Sequence, residues 1–210
     1  MCRFYLWFTW GWGTWRNWKK NYATHHRKHH ANSDTKDDPH SPQYFTWWQM
    51  CQVQNSWKPG HSGYVSKEDE EKYASDIDSG EDWIWKNLYS KYPRLGPTLM
   101  WIIATLLFGV SGFICGAMAF FLMNIFGMTL VNWALHKIGW TYEKNKDPND
   151  KSTILCPWGI LLGGEELHTH HHNNPGNPKF SKYWWEIDSS WGYMLLLEKI
   201  GAIKIHRVKS

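Results

Sequence analysis

Between Leu95 and Leu135 the chain has no Asp, Glu, Lys, Arg or His, although charge is dense on both sides of the gap. A water-washed surface element is excluded there, because such an element needs a polar face. Cysteine is scarce: Cys2, Cys51, Cys115 and Cys156 stand far apart and form no CxxC pair. That spacing supports neither a disulfide framework nor a structural zinc knuckle, so a reducing setting is the default. There is no HExxH, which removes the zinc-protease reading. No small-residue cleavage site follows the apolar run Phe4–Trp15, so the run does not read as a cleaved signal.

What is present is a chain of 210 residues, enough for one domain with a core, carrying a net charge of +4. Mild basicity suits a surface facing anionic lipid or an anionic acyl carrier, though many other proteins share it. Seventeen tryptophans are a heavy load, and Trp favours membrane–water boundaries.

The run Phe4–Trp15 is about half of the ~20 residues a membrane-crossing helix needs. Arg16, Lys19, Lys20, Arg27 and Lys28 follow it, which places that end in the cytosol by the positive-inside rule. As one helix, Leu95–Leu135 would be about twice as long as the hydrocarbon layer is thick. Two spans joined by a turn fit better, with Gly109, Gly112 and Gly116 near the middle to ease the reversal. Arg94 before the block and Lys137 after it put both ends on the cytosolic side. Lys67–Asp82 reads as an acidic loop or surface helix, and Trp184–Ile205 as an amphipathic helix on the membrane surface or packed on the rest.

Most of the twelve histidines are clustered. His26, His29 and His30 form HxxHH, and His168, His171 and His172 form a second HxxHH. On a helix, positions three and four apart share a face, so each triplet can aim two or three imidazoles at one spot. Asn132 and His136, four apart, stand at the end of the apolar block. Imidazole suits Fe, Zn, Cu and Ni, and seven histidines from three places exceed what one tetrahedral zinc uses. Two iron ions would account for the number. Soluble di-iron bundles rely on Glu and ExxH instead, so a histidine-rich set is a different kind of site. Topology adds a condition: both clusters must lie on one membrane face to share metals, so the block between them must cross an even number of times.

At these residues the chain resembles the membrane fatty-acyl desaturases of the stearoyl-CoA Δ9 type, especially the bacterial branch. The resemblance runs through HRKHHANSDTKDDPHSP (26–42), DWIWKNLYSKYPRLG (82–96), NWALH (132–136), PWGILLGGEELHTHHH (157–172) and WWEIDSSWGY onward (184–205). GGEELHxxHH is its most specific segment. The resemblance implies an all-α integral-membrane fold, a helical stalk with a cytosolic helical di-iron cap. Phe4–Trp15 would end one membrane helix and Leu95–Leu135 would form the next two. One desaturase domain would span 1–210, with 16–94 and 136–210 cytosolic.

By position, His26, His29 and His30 look like the family's second histidine box and His168, His171 and His172 like the third. His136 looks like the additional ligand and Asn132 like the asparagine that reaches metal through water. The resemblance further implies two non-haem Fe ions, O2 as co-substrate, a fatty-acyl substrate, and an electron donor of cytochrome b5 or ferredoxin type. No nucleic-acid partner is expected. The family's first box, HxxxxH, has no counterpart here, so a fragment or a non-catalytic remnant stays open as an alternative, beside a related hydroxylase. His25 and His170 are weighed as replacement ligands and set aside, since neighbouring positions point to other helix faces. Glu165, Glu166, Asp34, Asp37 and Asp38 are candidates to hydrogen-bond the ligand imidazoles.

Overall fold

The structure is a computed structural model that describes residue 4 and residues 7–9, 18–51, 59–77, 82–121 and 129–206. Most of Phe4–Trp15 lies outside the described residues. The elements run α1 (Trp18–Ala31), α2 (Trp47–Cys51), α3 (Lys67–Ala74), a π-helical turn (Trp85–Tyr89), α4 (Leu95–Met118) and a second π-helical turn (Leu130–Ala134). They continue with β1 (Trp158–Gly159), a 3-10 turn (Glu165–Leu167), α5 (His168–Asn173), β2 (Ile187–Asp188) and α6 (Ser189–Lys199). Among the described residues the fold is mostly helical, with one small sheet that pairs β1 with β2 in parallel.

Two compact units are present, one made of Met1–Lys28 and Cys51–Met128, the other of His29–Met50 and Thr129–Ser210. The border falls inside α1, after Lys28.

In the first unit a small aromatic core of Trp7, Trp85 and Tyr89 is flanked by Phe8 and Leu88. Trp7 Nε1 donates to the Tyr92 carbonyl at 2.9 Å. A Cβ on Gly96 would lie 2.2 Å from the Trp7 carbonyl oxygen, so only glycine permits this approach. The acidic segment forms α3, opened by a reciprocal cap: the Ser66 hydroxyl accepts from Asp69 N–H and the Asp69 carboxylate accepts from Ser66 N–H. Asp69 pairs with Lys28 at 2.7 Å, and Asp76 accepts from the Arg27 guanidinium.

The stretch Leu95–Phe121 is apolar and long enough to cross a membrane by length and composition, yet the chain doubles back within it. Gly109 has φ 60 and ψ −134, a conformation that costs L-residues dearly. Trp101 Nε1 donates to the Phe113 carbonyl at 2.9 Å, whereas residues twelve apart on one straight helix stand about 18 Å apart. The two arms, residues 95–108 and 110–121, meet along glycines. A Cβ on Gly112 would lie 2.0 Å from the Ala104 carbonyl oxygen, and one on Gly116 2.3 Å from Trp101 Cδ1. The outward faces are exposed and apolar, including Leu106, Leu107, Phe108 and Val110.

In the second unit the buried residues are mainly polar. Leu135, Ile154 and Leu167 are fully buried, but so are His29, Glu166, Thr169, Ser33, Ser41 and Ser152. Residues 150–155 lace the unit together. Thr153 N–H donates to the Leu135 carbonyl, Leu155 N–H to the Glu166 carbonyl, and Thr169 N–H to the Thr153 carbonyl. The buried Glu166 carboxylate accepts from Leu161, Leu162 and Gly164 N–H, fixing the turn that leads into α5. α6 begins at Ser189, five residues after the start expected from Trp184. The Asp188 carboxylate caps it from outside by accepting Trp191 N–H, and a cap residue has non-helical backbone.

Candidate metal centre

His29 and His30 are the last histidines of α1, and both belong to the second unit. His168, His171 and His172 come from α5, and His136 from just beyond the second π-helical turn. Ligand-type nitrogens of His29, His136, His168 and His172 all lie within 4.8 Å of one another. Nε2 of His29 is 3.2 Å from Nε2 of His172, and Nε2 of His30 is 3.0 Å from Nε2 of His171. His26 lies one turn before His30 on α1 and belongs to the first unit. Asn132 is half-buried on the π-helical turn, four residues before His136.

Carboxylates hold the other ring nitrogens. His29 Nδ1 is 2.9 Å from Asp38, His136 Nδ1 2.7 Å from Asp34, His172 Nδ1 3.1 Å from Asp150 and His168 Nδ1 3.3 Å from Glu165. A carboxylate only accepts, so Nδ1 of His29, His136 and His172 carries the hydrogen and, in a neutral ring, Nε2 is a bare lone pair. Bare nitrogens about 3 Å apart repel unless a cation lies between them. Two imidazoles bound at ~2.1 Å and at right angles on one ion stand about 3.0 Å apart. His136 Nε2 is buried without a hydrogen-bond partner among the described residues, a costly state that a metal relieves.

The electrostatics agree. Burial pushes His172 well below its ordinary value, as does the charge of His168, His29, His136 and His30, which keeps the ring in the neutral, ligating form. Burial acts to raise the Asp34 carboxyl, but hydrogen bonds from His136, Ser41 and the Lys151 N–H, with the His136 charge, hold it at about 2. Asp150 is raised, chiefly by burial, with the nearby Asp34 charge adding to it.

Of the five acidic residues named from sequence, Asp34, Asp38 and Glu165 face ligand-type histidines. Glu166 is committed to backbone N–H groups, and the Asp37 side chain is exposed. Sequence reasoning missed Asp150, which also binds the Ser33 hydroxyl at 3.2 Å; it sits in a polar loop with no periodic signal. It also missed His40, whose ring lies 4.1 Å from that of His29. His170 faces away, between Glu143 and Glu186.

This histidine-rich, carboxylate-buttressed site meets a matching family. The family model for fatty acid desaturase matches residues 2–191, and the chain belongs to that family. It is 31% identical over 178 residues to the sn-1 stearoyl-lipid 9-desaturase of Anabaena variabilis, covering 84% of this chain and 60% of that protein. Similarity extends to the sn-2 palmitoyl-lipid 9-desaturase of Nostoc sp. (strain 36), 27% identical over 85% of this chain and 60% of that one. An acyl-CoA 5-desaturase of Anemone leveillei is 27% identical over 88% of this chain and 54% of its own length. The chain thus spans about 60% of the length of the first of these relatives.

Proposed function

We propose that the chain carries the histidine-ligated di-iron site of an O2-dependent desaturase that introduces a double bond into a long-chain fatty-acyl group. His26, His29, His30, His136, His168, His171 and His172 are the proposed ligands, with Asn132 reaching the metal through water. The observation that carries the reading is the facing pair of bare imidazole nitrogens, His29 Nε2 and His172 Nε2, held by Asp38 and Asp150. When bound, the iron pair supplies oxidising power against an aliphatic C–H bond that no side chain has. The protein's own part is to orient imidazoles, keep them neutral and keep the site dry.

The Δ9 position, on an acyl-CoA or an acyl-lipid, is proposed from the 9-desaturase relatives. An electron donor of cytochrome b5 or ferredoxin type completes the reaction. The chain is proposed to be integral to the membrane as one desaturase domain. The exposed apolar faces of residues 95–121 support this, since so much apolar surface is not left to water. The first arm, residues 95–108, is about 20 Å long, short of the ~30 Å hydrocarbon layer. Whether the reversal at Gly109 lies at the far face or partway through, a doubled-back segment returns to the side it left. Residues 16–94 and 136–210 then share the cytosolic face with the histidines, as one metal centre requires.

The test is lipid mass spectrometry of a host that lacks its own desaturase and expresses the chain, with iron measured on the purified protein. Acyl groups short of two hydrogens and two irons per chain are expected. Acyl groups that gain an oxygen, or a chain that retains no iron, would overturn the proposal.

A further inference from the structure

His170 stands inside the histidine-rich segment HTHHH, yet its ring lies between two carboxylates. Its Nε2 hydrogen-bonds Glu186 Oε1 at 2.7 Å, while its Nδ1 stands at ion-pair distance, 2.7 Å, from Glu143 Oε2 without the geometry of a hydrogen bond. The ring is 3% exposed and the Glu186 side chain fully buried. Both carboxylates are themselves fixed. Glu186 accepts from the N–H groups of Lys182 and Tyr183 and from the Tyr142 hydroxyl. Glu143 pairs with Lys182 Nζ at 2.6 Å.

The arrangement follows from the geometry of α5. At about 100° per residue, positions 168, 171 and 172 fall on one face and 169, 170 and 173 on the opposite one. Every side chain on the opposite face is tied down. The Thr169 hydroxyl donates to the Ser152 carbonyl at 2.9 Å, and Asn173 accepts from Lys146 N–H and donates to the Lys144 carbonyl. His170 is the member of this set that faces carboxylates, Glu186 by a hydrogen bond and Glu143 at ion-pair distance. Six residues are too few for a helix to keep its own orientation, so external ties set its rotation about its axis.

We propose that His170 is a positioning residue, a two-sided clamp between Glu143 and Glu186 that fixes the rotation of α5 and so aims His171 and His172. The inference rests on the metal-site reading for its consequence and on the contacts of His170 for its existence. Without the imidazole, Glu186 keeps its N–H and Tyr142 partners and Glu143 keeps Lys182, so both carboxylates stay in place while α5 loses its tie to them.

Two measurements on the full chain in detergent test it. In the metal-free protein, His170→Ala should speed hydrogen exchange of the amides of residues 169–174 by about tenfold or more. With Co(II) as probe, the same variant should bind about tenfold more weakly, in the range seen when residues behind metal ligands are changed. Its visible absorption should also shift. Ser66→Ala, which removes the α3 cap in the first unit, serves as a control that loosens the fold without moving the Co(II) spectrum. If His170→Ala fails to fold, Glu143→Gln removes one side of the clamp and should give smaller shifts of the same sign. Exchange rates and Co(II) spectra equal to wild type in either variant overturn the proposal. A wild-type chain that takes up no Co(II) overturns the metal reading instead, and the exchange measurement alone then decides the clamp.

Discussion

Asp34 and Asp38 stand four residues apart in the loop after α1, and each is committed to a different imidazole. Asp38 holds His29 and also accepts from the N–H groups of Asp34 and His40; Asp34 holds His136. Asp34 does so at φ 56, a left-handed conformation that Asp and Asn tolerate better than most residues. Asp34→Asn and Asp38→Asn keep that backbone but weaken the grip on Nδ1. Each should lower metal affinity about 10- to 100-fold, while Asp37→Asn, at an exposed neighbour, should leave it unchanged; isothermal titration with Co(II) measures all three. That the histidines of each HxxHH would gather was legible in the sequence, because the helical spacing already states a shared face. Asp150 was not, because a loop residue's partner is set by how the chain returns in space, and spacing along the sequence carries no trace of that.

The arms of α4 meet along Gly112 and Gly116, inside the apolar block that the sequence marks out. Absence of charge fixed the apolar block, and three glycines marked where it could turn. The glycines do separate tasks: Gly109 supplies the backbone angle, while Gly112 and Gly116 let helices approach closely, as small residues do in membranes. Gly112→Val would drive a branched side chain into the Ala104 carbonyl and should cost about 1–3 kcal/mol. Val110→Ala, at a position 76% exposed, should cost far less. Melting temperatures in detergent separate the two outcomes. The start of α6 was less legible, since aromatic and aliphatic residues continue across Trp184–Asp188 and only the Asp188 side chain decides where the helix opens.

The second unit has few buried apolar side chains and many buried imidazoles, carboxylates and hydroxyls. Such an interior holds together through pairing and, on the reading above, through metal. A ligand that binds only the folded state at 100 to 1,000 times its dissociation constant adds about 3–4 kcal/mol. Chelation should therefore speed hydrogen exchange across residues 129–173, while α3 in the first unit keeps its protection. Equal loosening of both units, or none, would contradict this view. Sequence composition gave no hint of the two-unit division, because the second unit is assembled from stretches separated by the whole of residues 51–128.

His29 and His172 touch across 143 positions of sequence. At ~5–20 residues per second, a ribosome needs roughly seven to thirty seconds to travel that distance. Throughout that interval the nascent chain carries its early imidazoles with no late ones to join them. On the proposed reading, a metal shared by both clusters can be bound only after His172 has been made, by which time the apolar residues 95–121 have long been synthesised.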